Sequence, residues 1–129
     1  RIAGNIISPE IIGSIELAVK EIGVKLIVVN GHSHCGAINA AVHGIKDDNI
    51  GFVTSKIEQV LINNGKEKPD YSNEAEMEEI TRLNAMNSVS LIVEQSPYIR
   101  NLLNQNKIGI TAAYYDTHSG KVNFENMVS

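Results

Sequence analysis

The sequence predicts one α/β domain over residues 1–129: a mostly parallel central sheet flanked by helices, with an antiparallel edge strand near the C-terminal end. Three observations carry this reading. Two short apolar runs, KLIVVN at 25–30 and KIGITAAYYD at 107–116, hold many β-branched or small apolar residues and read as buried strands. Apolar residues at helical spacing fill the stretches before and between them. The second run leads into the turn Thr117-His118-Ser119-Gly120 and the alternating KVNFE, with Val122 and Phe124 on one face, which makes a closing hairpin.

Each element follows from local chemistry. RIAGN at 1–5 reads as the tail of a strand, and the start at Arg1 suggests a chain met in mid-sequence, with a further segment expected upstream. Ser8 is the expected N-cap of a helix beginning at Pro9, with Glu10 beside the positive end of its dipole. Ile11, Ile12, Ile15, Ala18, Val19 and Ile22 give that helix an apolar face, and Gly23 stops it. The strand at 25–30 reads as central and covered on both faces. A short helix is expected over 37–42 and a longer one over 50–62, with Phe52, Ile57, Val60 and Leu61 as a looser apolar stripe. Loops fall around Asp47-Asp48 and over 65–72. Asn73, a cluster of glutamates and the absence of Gly or Pro up to Pro97 predict one long helix over 74–95. Pro97 restarts a short helix to Leu103. Asn84 and Asn87 fall among apolar neighbours on the long helix, where buried amides need partners, so a cross-link to a loop is expected. Tyr114 and Tyr115 are expected to pack, with their hydroxyls satisfied.

Composition narrows the function. The net charge is −4 and the 11 Lys and Arg are dispersed, which argues against a nucleic-acid surface. The longest apolar runs fall far short of the roughly 20 residues of a membrane span. A single cysteine excludes an intrachain disulfide, leaving Cys35 as core, metal ligand or nucleophile.

The chemistry concentrates in GHSHCG at 31–36, where a strand turns into a helix. Ligands of open α/β sheets bind at the carboxyl ends of strands. His32 ends the strand, Cys35 stands where a helix dipole stabilises thiolate, and Gly31 and Gly36 let the turn bend closely. His-x-x-Cys is a spacing that zinc accepts, because Zn²⁺ takes imidazole nitrogen and thiolate sulfur in a tetrahedral shell. Alone it is a weak signal, since two ligands do not make a site. His34 is expected to face solvent, and His43 and His118 to be ordinary surface residues. A cysteine nucleophile with His32 or His34 as its base is the competing enzymatic reading. A nucleotide loop is a poor fit, because the turn lacks the P-loop Lys-Ser/Thr ending and the Rossmann glycine series.

Taken together, Arg-x-Ala-Gly-Asn at 1–5, Gly-His-x-x-Cys-Gly at 31–36, SPYIRNLL at 96–103 and Tyr-Asp-x-x-x-Gly at 115–120 resemble the β-class carbonic anhydrases, in order and spacing. The resemblance implies a zinc enzyme for the reversible hydration of carbon dioxide to bicarbonate and a proton. It also implies a homodimer or higher homo-oligomer. His32 and Cys35 match the family's second pair of zinc ligands. Arg1 and Gly36 are the candidate contacts of an accessory bicarbonate pocket, although a strand-end ion pair is the simpler use of Arg1. The chain departs from the family in lacking the Cys-x-Asp-x-Arg motif that carries the first zinc cysteine and an Asp-Arg pair. An upstream segment is expected to supply it, and these residues alone are expected to be inactive. A non-catalytic oligomerisation module of the same fold is the remaining alternative. A cytoplasmic location is expected, with a periplasmic one open because any leader would lie upstream.

Overall fold

The computed structural model describes residues 1–127. Ser8 caps α1 (Pro9–Leu17), its hydroxyl accepting the Ile11 N–H at 3.4 Å. A π-helical turn, Ala18–Ile22, carries the helix to Gly23, whose φ of 82° ends it in the left-handed region. The wide turn shifts the residues that follow around the axis. Ile12 and Val19 are therefore buried while Ile22, expected on the same face, is 77% exposed.

Strand β1 (Leu26–His32) pairs in parallel with β2 (Gly109–Tyr115), from Leu26 opposite Gly109 to His32 opposite Tyr115. The short β3 (Val122–Phe124) runs antiparallel to β2, with Val122 opposite Tyr115. Among the described residues the sheet order is β1-β2-β3, so the middle strand is β2 and not, as read, β1. β2 holds the centre and is buried almost throughout, whereas Leu26, Val28 and Asn30 of β1 are exposed. A continuous apolar run records that a strand tolerates burial, not what covers it. Within the described residues, packing reaches β1 on the Ile27 and Val29 face.

The connections are helical: α2 (Gly36–Val42), α3 (Ile50–Asn63), α4 (Glu74–Gln95) and α5 (Pro97–Asn104). α4 begins as read, with the Asn73 side chain accepting the Glu76 N–H at 3.1 Å. Two apolar clusters share it. Ala85, Val89 and Ile92 join α1, α5 and the sheet, while Ile80 joins Ile38 of α2 and Ile57 and Leu61 of α3. Phe52 belongs to neither and is 74% exposed, so the stripe of α3 is Ile57, Val60 and Leu61 without it. No helix among the described residues is long and apolar enough to cross a membrane.

The N-terminal residues form a tight 3₁₀ turn, Ala3–Asn5, rather than the strand tail expected of RIAGN. Gly4 at φ 68° and Asn5 at φ 52° bend the chain out of extended geometry. Helix α4 holds the turn there. Asn84 Nδ2 donates to the Gly4 carbonyl at 2.7 Å and Ser88 Oγ to the Asn5 carbonyl at 2.6 Å. A Cβ on Gly4 would stand 2.7 Å from Ile57 Cδ1, so any side chain there would also displace the end of Ile57. The loop cross-link expected of the helix amides is made by Asn84, while Asn87 is half-buried. Asn84→Ala is expected to cost roughly 1–3 kcal/mol by leaving the Gly4 carbonyl unpaired. Asn87→Ala should cost less than about 1 kcal/mol, and chemical denaturation of the two variants checks the difference.

Candidate functional site

The turn after β1 is built by its backbone. The Ser33 N–H donates to the Tyr115 carbonyl at 2.9 Å, carrying the β1–β2 pairing one residue further. His34 takes φ 54°, a left-handed conformation that histidine adopts more readily than most side chains, and reverses the chain. Cys35 is then the N-cap position of α2, its carbonyl accepting the Asn39 N–H at 3.0 Å.

His32 and Cys35 thereby border one cavity of about 760 Å³, with Arg1, Gly36, Asn30 and Tyr115 also on its wall. His32 Nδ1 lies 2.8 Å from the Ser33 carbonyl oxygen. A carbonyl only accepts, so in the neutral ring Nδ1 carries the proton and Nε2 keeps its lone pair. Cys35 is a free, half-buried thiol that also packs against the Ile38, Ile57 and Ile80 cluster. One imidazole nitrogen and one thiol are the right donors for a borderline-soft metal. Among the described residues no group of three His, Cys, Asp or Glu comes together, so these two donors fall short of a three-ligand catalytic site. Nor is Cys35 hydrogen-bonded to His32 or His34 among those residues, as an activated nucleophile would be.

The other histidines lie elsewhere. Exposed His34 borders a second hollow of about 1000 Å³, which Cys35 also lines, with Tyr71, Glu78, Tyr114 and His118. His43 bonds through Nδ1 to the Asn39 carbonyl at 2.8 Å and packs at a tilt of 41° against Tyr71, ring centroids 4.2 Å apart. Both His43 and His118 are exposed, as read. Arg1 is exposed at the cavity rim, and the strand end to which an ion pair was assigned is the 3₁₀ turn.

Periodicity did not disclose the polar frame behind the turn. Arg82 on α4 donates to Glu78 at 3.0 and 2.7 Å and to Glu125 at 2.7 Å, and its guanidinium lies 4.9 Å above the Tyr114 ring. Burial alone would lower the Arg82 pKa, but the Glu78 and Glu125 carboxylates outweigh it and raise it. Burial, and then the Glu78 carboxylate, push the Tyr114 phenol above its ordinary range. Across the hairpin turn, the Asp116 carboxylate accepts the His118 N–H and the Ser119 hydroxyl, each at 2.9 Å, and is held below its ordinary range. Because the folded pKa is the lower one, this support is complete above the ordinary aspartate range and fades as pH falls through the lowered value. The His118 amide resonance should therefore report a midpoint below that of free aspartate in an NMR pH titration.

The carbonic anhydrase family profile matches residues 1–122, and solved β-carbonic anhydrases share this helix and strand arrangement. The chain belongs to the β-class carbonic anhydrase family. The β-carbonic anhydrase CafA of Aspergillus fumigatus superposes with a TM-score of 0.82 at 22% identity, over 98% of this chain and 62% of its own. One of two tetrameric β-carbonic anhydrases from Sordaria macrospora gives 0.79 at 22%, over 98% and 66%. Carbonic anhydrase 2 of Mycobacterium tuberculosis is 47% identical over 62 residues, which is 46% of this chain and 30% of that relative. This β-class carbonic anhydrase chain thus spans less than two thirds of those solved structures and, where aligned, under a third of the curated relative. The four stretches that carried the resemblance, at 1–5, 31–36, 96–103 and 115–120, all lie within the matched residues of the carbonic anhydrase profile.

Proposed function

We propose that this chain takes part in the reversible hydration of carbon dioxide to bicarbonate and a proton, at a zinc centre for which His32 Nε2 and Cys35 Sγ are two of the ligands. The observation that carries this is the meeting of both donors on one cavity wall within a chain matched to the carbonic anhydrases over 1–122. Zinc with three protein ligands keeps one open position and lowers the pKa of bound water to about 7, which supplies hydroxide near neutrality. The chain's own part is to present the two donors: the Nδ1–H bond to Ser33 leaves the Nε2 lone pair free, and a Cys35 thiolate would offset one of the metal's positive charges. Arg1 and Gly36 are proposed contacts for bicarbonate at the same cavity, and a homodimer or larger homo-oligomer is the proposed assembly.

On this reading the third ligand comes from outside the described residues, and the 129-residue chain alone is expected to be inactive. Stopped-flow hydration of carbon dioxide, run alongside metal analysis and intact mass, tests this. Zinc-dependent turnover is expected when a Cys-x-Asp-x-Arg segment precedes Arg1, and none from residues 1–129. Turnover by the short chain would refute the missing-ligand argument, and zinc-loaded but inactive longer protein would refute the function.

A further inference from the structure

We infer that Ser33 and Thr117 are positioning residues that set the ring tautomer of His32, a role that rests on His32 binding metal through Nε2. Three hydrogen bonds pin Ser33 to the end of β2 and the hairpin turn. Its N–H donates to the Tyr115 carbonyl at 2.9 Å, its hydroxyl oxygen accepts the Thr117 N–H at 2.8 Å, and the two hydroxyls lie 2.7 Å apart. With both the amide and the side chain of Ser33 held, only its ψ remains to aim its carbonyl. That carbonyl stands 2.8 Å from His32 Nδ1.

The contact between a histidine ring and the carbonyl of the next residue is local, and water competes with it easily. In water a histidine side chain prefers the opposite tautomer, with the proton on Nε2, where it would block the lone pair a metal needs. The Ser33–Thr117 latch reverses that preference by presenting a fixed acceptor to Nδ1. It joins residues 84 apart in sequence, so the hairpin turn, which carries no metal donor of this site, governs the readiness of one that stands on β1.

The test needs no metal. In ¹⁵N-labelled, metal-free chain, long-range ¹H–¹⁵N correlation in alkaline buffer is expected to find the His32 proton on Nδ1. Ser33→Ala should move the population toward Nε2–H and Ser33→Thr should restore it. Thr117→Val, which keeps the backbone N–H and removes one hydroxyl, should give a partial shift and serves if Ser33→Ala does not fold. Zinc affinity should fall about 10- to 100-fold in Ser33→Ala and recover in Ser33→Thr. An unchanged Nδ1–H tautomer in a folded Ser33→Ala or Thr117→Val variant would overturn the inference. A tautomer shift in a chain that shows no zinc binding would support the latch and count against the metal reading of His32 instead.

Discussion

His32→Ala is expected to weaken zinc binding by this chain at least about 100-fold, and Cys35→Ser to do the same. Loss of an outer partner of a metal ligand already costs 10- to 100-fold, so loss of the ligand itself should lie at or beyond the upper end. Alanine offers no donor. Serine offers a hydroxyl that stays protonated near neutrality, which removes both the charge and the softness of the thiolate. The double variant should be scarcely weaker than either single one, because once the chelate is broken the remaining donor holds the ion alone. Competition against a chromophoric chelator measures all four proteins. Zinc should also slow alkylation of Cys35 by iodoacetamide in the parent chain and not in His32→Ala. A His32→Ala chain that binds zinc within threefold of the parent would remove His32 from the site.

Gly31→Val should cost about 3 kcal/mol, the upper end for an overpacked interior. A Cβ at this position would stand 3.0 Å from Thr81 Cγ2, 3.4 Å from the Thr81 carbonyl oxygen and 3.6 Å from Ala85 Cβ. Valine adds two further carbons between β1 and the backbone of α4, which has little room to yield. Gly31→Ala asks only for a small adjustment of Thr81 and should cost about 1 kcal/mol. Urea midpoints decide between these values. Because His32 is the next residue, Gly31→Val should also weaken zinc binding even in the fraction that remains folded. An unchanged midpoint would mean that α4 and β1 are not in close contact at this glycine.

Local signals were read well and partners poorly. The limits of α4 were legible because Asn73 caps it, glutamates crowd its first turn and Pro97 forces the break after Gln95. Ser8, Pro9 and Gly23 marked the first helix equally clearly. The place of β1 at one end of the sheet formed by the described residues was not legible, since Leu26 and Val28 say only that an apolar surface is present, not what meets it. Ile22 and Phe52 failed for a related reason: spacing assumes an ideal helix with one apolar face, and a π turn displaces Ile22 while α3 turns Phe52 outward. In the site, the meeting of His32 and Cys35 at one cavity was legible from their spacing across the strand-to-helix turn. The Ser33–Thr117 and Arg82–Glu125 bonds were not, because they join residues far apart in the chain whose types are common on any surface.

The 22-residue α4 passes through both apolar clusters, and this makes the two candidate donors thermodynamically dependent on each other. His32 ends β1, which packs into the cluster of the sheet, α1 and α5, while Cys35 rests on the cluster of α2 and α3. Neither cluster can melt while α4 keeps the other intact without tearing the helix at its middle, between Ile80 and Ala85. Unfolding should therefore be a single cooperative transition, and the separation of nitrogen and sulfur a property of the whole domain. A ligand that bridged the two would stabilise both halves at once, and substitutions far along α4 would register as changes in its affinity.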